Sequence, residues 1–159
     1  MQPDAVSLNK AAIIERCIRR MREEYAADPE LENYTNLDAL ILNIERACQA
    51  CIDLAMHRVA LSHLGIPQSS ADAFALLQKA GIISQDLASR MSKMVGFRNI
   101  AIHQYQDLET KVIHFIMRHG IQDISAFATS MHLQIADTPR PTSNTPPKKP
   151  NPNSQNSQN

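Results

Sequence analysis

An arginine, an asparagine, a histidine and a tyrosine lie close together near the middle of this chain of 159 residues. Arg98 and Asn99 are followed, after three further residues, by His103, and Tyr105 comes two positions later. An imidazole can take or give a proton, and a guanidinium can stabilise negative charge on phosphate oxygens. These four residue types at this spacing therefore point to cleavage of a phosphodiester, with Arg98 and His103 as the catalytic pair and Asn99 and Tyr105 in supporting roles.

The arginine of this motif falls on the apolar face of the helix that is expected to carry it. At about 100° per residue, one stripe collects Leu87, Met91, Met94, Val95 and Ile102. A guanidinium buried there without a partner costs several kcal/mol or more. We therefore expect Arg98 to meet a partner chain, a bound anion, or both.

A single histidine is a poor choice for both base and acid in one step of the reaction. A twofold dimer brings two copies of His103 and Arg98 face to face, which supplies both groups. The sequence therefore favours a homodimer with the site in a shared cleft.

Cap residues and apolar periodicity predict an all-α, up-and-down bundle of about five helices. Ser7 is expected to cap the first helix, which runs to about Ala27, and Thr35 with Asp38 to open the second, which ends near Leu64. The third is expected to start at Ser69 with Asp72 and stop at Gly81, Ser84 to cap the fourth, and Asp107 to start a fifth that Gly120 kinks or splits. The fourth helix carries the Arg98 motif.

Composition limits the classes of partner. Sixteen basic and sixteen acidic side chains balance, so the chain does not bind nucleic acid or membranes through bulk charge, and any contact with nucleic acid must be local. The sequence shows neither a signal peptide nor an apolar stretch long enough to cross a membrane, which predicts a cytoplasmic protein. We expect no cofactor and no metal, since no glycine-rich phosphate loop or clustered histidine pattern is present.

The composition changes abruptly near residue 138. Residues 138–159 are rich in proline, asparagine and serine and lack the apolar residues of a core, which predicts a disordered tail. The helical domain is accordingly expected to span residues 1–137.

Three further groups of residues allow more than one interpretation. Arg46, Asp53 and His57 align on the second helix, where they could line an interface, support a site or be ordinary surface charge. Arg16, Arg19 and Arg20 form a basic cluster, which we interpret as a solvent-facing surface with contact to RNA or a partner as the alternative. Cys48 and Cys51 have a C-x-x-C spacing but lie well inside a helix on its apolar stripe, which favours packing over metal binding.

At these residues the chain resembles the HEPN superfamily, whose signature is an arginine, four to six residues of which the first is polar, and a histidine. The longer R-x4-H-x-Y form, with Asn99 as the polar residue, is similar to the HepT-like toxin branch. Residues 41–53, 65–70 and 94–101 also look like that branch, and the resemblance covers about residues 7 to 135.

The resemblance implies a dimeric, metal-independent endoribonuclease that acts as a toxin on RNA. It also implies a partner, a minimal nucleotidyltransferase antitoxin that transfers AMP from ATP to the motif tyrosine, which is Tyr105 here. The alternative is a catalytically silent HEPN dimer that binds RNA or a protein.

Overall fold

The computed structural model describes residues 2–103 and 110–136, with residues 100–103 described only as backbone. The helices are α1 (Ala5–Ala27), α2 (Tyr34–Leu61), α3 (Ser70–Lys79), α4 (Gln85–His103), α5 (Thr110–Phe115) and α6 (Ile121–Ser130), and a π-helical segment, Ile116–Gly120, joins the last two. All regular structure in the described ranges is helical, which confirms the predicted all-α bundle. No helix in those ranges is long and apolar enough to span a membrane.

The first two helices begin at other caps than the sequence suggested. The Ser7 backbone N–H donates to Asp4 Oδ1 at 2.8 Å, so Asp4 and not Ser7 caps α1. Asn33 caps α2 in the same way, accepting from the Asn36 N–H at 3.2 Å, and the predicted capping box of Thr35 and Asp38 is wrong. Since all of these residue types make good caps, the fold and not the local sequence decides which one does.

The second helix also ends one turn before the predicted Leu64. His63 takes a left-handed conformation with φ 52°, and the Leu64 N–H donates to the Val59 carbonyl at 3.1 Å. This is the Schellman pattern that closes a helix, formed here by histidine where glycine is the usual residue.

The starts of the third and fourth helices follow the prediction. Ser69 Oγ accepts from the Asp72 N–H and Ser84 Oγ from the Leu87 N–H, both at 3.1 Å. Gly81, with φ 75°, ends α3. Asp107, the predicted start of the fifth helix, and the predicted tail of residues 138–159 lie outside the described residues.

The core lies between α1 and α2 and continues under α3, α4 and α6. Lys10 pairs with Asp53, and Glu24 accepts from the Asn36 amide, so α1 and α2 run antiparallel. Phe74 of α3 meets Phe127 of α6 edge to face, with ring centroids 5.4 Å apart. This contact fixes the third helix against the last one.

The break predicted at Gly120 takes the form of the π-helical segment that ends there. A Cβ at Gly120 would lie 3.1 Å from Ile116 Cγ2 and 3.6 Å from Met94 Cε. Glycine at this position therefore leaves room for the π turn to pack closely against α4.

Candidate functional site at the end of the fourth helix

The apolar face of α4 holds the motif helix firmly in the bundle. Its buried side chains include Leu87, Ala88, Met91, Met94 and Phe97. A residue directly after Phe97 therefore has a fixed position at the edge of the core.

Arg98 follows Phe97 directly and so lies at the edge of the core. One hydrogen-bond donor of its guanidinium has no partner among the described residues. The side chain is half-buried, and its Nε atom is buried with no hydrogen-bond partner in the part of the chain that the structure describes. A buried donor without a partner costs about 1 to 3 kcal/mol. The expectation that Arg98 meets an anion or a partner chain stays a prediction.

The Arg98 side chain, on α4, lies near Cys48 in the middle of α2. Burial raises the pKa of the Cys48 thiol to about 12, although the nearby charge of Arg98 acts to lower it. The thiol consequently stays protonated at neutral pH and gives Arg98 no counter-ion.

His103 is the last described residue of α4, five positions after Arg98. Five residues correspond to about 7.5 Å along the helix axis and about 140° around it. Asn99, on the same helix, is exposed. The backbone thus places Arg98, Asn99 and His103 within the last two described turns of α4, while the His103 side chain and the whole of Tyr105 lie outside the described residues.

The second predicted group, on α2, makes contacts that join this helix to α1. Asp53 accepts from Lys10 Nζ at 3.0 Å and from Gln49 Nε2 at 2.8 Å. His57 Nε2 lies 2.6 Å from Asp4 Oδ2. Asp53 and His57 therefore support the packing of two helices. Arg46 is exposed, and no hydrogen bond or ion pair joins it to another described residue.

The three cysteines are free thiols buried in the core, as the sequence indicated. Cys17, Cys48 and Cys51 are each at most 2% exposed. Within residues 2–103 and 110–136, no group of three or more histidine, cysteine or acidic side chains is arranged to hold a metal ion. The burial of Cys48 and Cys51 shows that both side chains of the C-x-x-C spacing pack in the core.

A groove between α1 and α2 was not predicted from the sequence. It encloses about 550 Å³, and four basic side chains contribute to its lining, namely Lys10, Arg16, Arg20 and Arg46. The basic cluster on α1 was the available signal, but only the packing of the helices shows that Arg46 faces it across a groove.

An all-α bundle in which one helix carries an arginine at its buried edge and a histidine five residues later is the arrangement expected of a HEPN-type protein. The ribonuclease HepT-like family model matches residues 10–131. The chain belongs to this family.

Known relatives agree in sequence and in structure. The chain is similar to the mRNA nuclease HepT of Shewanella oneidensis, with 42% identity over 123 residues, 77% of this chain and 92% of that protein. It is also similar to a toxin–antitoxin structure with AMP-PNP, at a TM-score of 0.77 and 39% identity over 81% of this chain and 98% of that one. A tri-AMPylated S. oneidensis HEPN toxin in complex with MNT antitoxin gives the same TM-score and identity over 82% and 98% of the two chains.

Proposed function

We propose that this protein is the toxin of a toxin–antitoxin pair, a metal-independent endoribonuclease that cleaves RNA in the cytoplasm. One observation carries the proposal: the Nε of Arg98, buried and without a partner among the described residues, lies on the helix that also carries His103. The 42% identity to an mRNA nuclease supports RNA as the substrate.

In the proposed reaction, His103 takes the proton of a ribose 2′-hydroxyl, whose oxygen then attacks the adjacent phosphorus. Arg98 stabilises the additional charge on the nonbridging oxygens of the pentavalent state. The bond from phosphorus to the 5′-oxygen breaks, and an imidazolium gives that oxygen a proton. The products are a 2′,3′-cyclic phosphate and a free 5′-hydroxyl.

The second imidazole comes from a second copy of the chain. A twofold dimer around Arg98 and His103 covers the partly buried guanidinium and provides base and acid together. Light scattering is expected to give twice 17.8 kDa. A strict monomer that still cleaves RNA would contradict this arrangement.

Neutralisation proceeds by AMP transfer to Tyr105 from ATP, catalysed by a nucleotidyltransferase antitoxin. The AMPylated relative in complex with an MNT antitoxin supports this step. Each AMP adds a phosphodiester charge near the position where Arg98 would bind the phosphate of RNA, so modification blocks the cleft by charge and by bulk.

The test of the nuclease is cleavage of RNA by the purified chain in excess EDTA, with analysis of the ends. We expect cyclic-phosphate products, and a loss of at least about 10²-fold in rate for Arg98→Ala and for His103→Ala. Lys93→Ala, which removes an exposed charge from the same helix, is the matched control and retains activity.

Two results would refute this function. Inhibition by EDTA would show that the reaction needs a metal. Toxicity and cleavage that persist in His103→Ala would show that the chemistry lies elsewhere.

A further inference from the structure

The groove between α1 and α2 concentrates positive charge on a protein whose net charge is 0. We name it the α1/α2 groove, and its lining residues used below are Lys10, Arg16, Cys17, Arg20, Ala39, Arg46, Ala50 and Asp53. The lining has four cationic side chains and one carboxylate, a formal charge of +3 on a chain whose net charge is 0. The remainder of the chain is therefore net negative, and an anion meets a distinctly attractive surface here.

Among the described residues, two of the four cationic side chains have hydrogen-bond or ion-pair partners and the other two have none. Lys10 pairs with Asp53, and Arg20 pairs with Glu23 and Glu24 on its own helix. Arg16 and Arg46 are exposed and form no hydrogen bond or ion pair with the described residues. Two guanidinium groups, one from each helix, are thus free to bind a ligand.

These two arginines line the same groove, Arg16 from α1 and Arg46 from α2, and Cys17 lies in the lining with them. Burial raises the pKa of the Cys17 thiol, while the charges of Arg16 and Arg46 both act to lower it. A phosphate in the groove meets positive charge from both helices.

We propose that the α1/α2 groove binds the phosphate backbone of the RNA substrate, with Arg16 and Arg46 as phosphate ligands away from the cleavage site. This inference rests on the proposed nuclease function. A guanidinium suits phosphate because its parallel N–H groups match two oxygens.

The lining indicates contact with the backbone of RNA and not with its bases. Proteins that recognise unpaired bases usually stack them on aromatic side chains, and none of the residues that line the groove is aromatic. Small side chains at Cys17, Ala39 and Ala50 let a strand approach the floor. The groove accordingly adds affinity without choosing a sequence.

Cys17, in the groove lining, and Arg98 both influence the ionisation of the Cys48 thiol in the middle of α2. The groove and the motif arginine therefore adjoin the same part of α2.

The experiment measures the affinity of the full chain for a single-stranded RNA whose riboses are 2′-O-methylated and cannot be cleaved. We expect Arg16→Gln and Arg46→Gln each to weaken binding about fivefold. The slope of log K against log salt is expected to fall by about 0.7 for each arginine that holds one phosphate. On cleavable RNA, KM rises while kcat and the cleavage positions stay the same.

Lys79→Gln is the matched control, because it removes one positive charge from an exposed site on α3, outside the groove. An equal loss of affinity in this control would show that total charge and not the groove is responsible. An unchanged affinity and salt slope in the double variant Arg16→Gln/Arg46→Gln would overturn the proposal. Melting temperatures of all variants establish that each is folded.

The same variants separate this proposal from the function on which it rests. If the chain binds the methylated RNA through the groove but cleaves no RNA, the groove proposal stands and the proposed nuclease function is wrong. If the double variant binds RNA normally but no longer binds the nucleotidyltransferase, the groove is a docking surface for protein and the RNA assignment is wrong.

Discussion

The carboxylate of Asp4 lies 2.6 Å from His57 Nε2, and its other oxygen accepts the Ser7 N–H at 2.8 Å. One side chain thus caps the first helix and contacts the second. The pair joins the N-terminus of α1 to the last third of α2. We therefore expect the stability that this contact contributes to depend on pH.

The first prediction concerns acid stability. The Ser7 backbone N–H and then His57 hold the pKa of Asp4 at about 2, below its ordinary value of 3.8. Because the folded state lowers the pKa, the ionised carboxylate stabilises the fold fully above the unfolded value and loses that effect as the pH falls through the folded value. The difference in Tm between the wild type and Asp4→Ala is therefore largest above about pH 5 and closes between about pH 4 and pH 2.

Glu30→Ala is the control for this measurement, since Glu30 is exposed in the loop after α1. Its effect on Tm is expected to be small at every pH. A difference for Asp4→Ala that stays constant down to pH 2 would show that the carboxylate does not stabilise the fold through its charge.

The second prediction concerns the contact between Phe74 and Phe127, both 0% exposed. Phe127→Ala leaves a cavity in the core and is expected to lower the free energy of unfolding by about 3 to 5 kcal/mol. Urea denaturation measures this loss. Tyr34→Ala, at a site that is 83% exposed, is expected to change it by about 0.5 kcal/mol or less.

The third prediction separates stability from activity at Arg98. Because its buried Nε has no partner among the described residues, Arg98→Met is expected to leave the free energy of unfolding unchanged or to raise it by about 1 kcal/mol. Cleavage of RNA is nevertheless abolished. A loss of more than about 2 kcal/mol would instead show that the guanidinium stabilises the isolated fold.

The fourth prediction concerns Tyr105. Coexpression with the nucleotidyltransferase antitoxin and ATP is expected to add AMP to the chain, which intact-mass spectrometry detects, and the modified protein no longer cleaves RNA. Tyr105→Phe is expected to remain unmodified and Tyr34→Phe, which alters an exposed tyrosine at the start of α2, to be modified normally. An adduct that persists in Tyr105→Phe would refute this assignment.

The helices and the motif position were predictable from the sequence because their signals are local. The caps at Ser69 and Ser84 and the apolar face around Met91 need only neighbouring residues to be recognised. The caps at Asp4 and Asn33 were missed because several suitable residues compete within one turn, and the choice depends on how α1 and α2 pack.

The α1/α2 groove and the π-helical segment were not predicted from the sequence. The groove forms between two helices, and the π-helical segment does not change the apolar periodicity. The α1/α2 groove requires Arg16 and Arg46 to face each other across two helices, which no spacing in the sequence encodes. The π-helical segment Ile116–Gly120 follows the same apolar spacing as an α-helix, so periodicity does not distinguish the two.

The reaction of the three buried thiols with a reagent can measure how often the fold opens locally. Burial raises the pKa of Cys17, Cys48 and Cys51, so neither accessibility nor ionisation favours reaction with an alkylating reagent in the closed fold. Cys17 belongs to α1 and the other two belong to α2. The rate at which the reagent labels them therefore reports how often these two helices separate, with no need for an introduced probe.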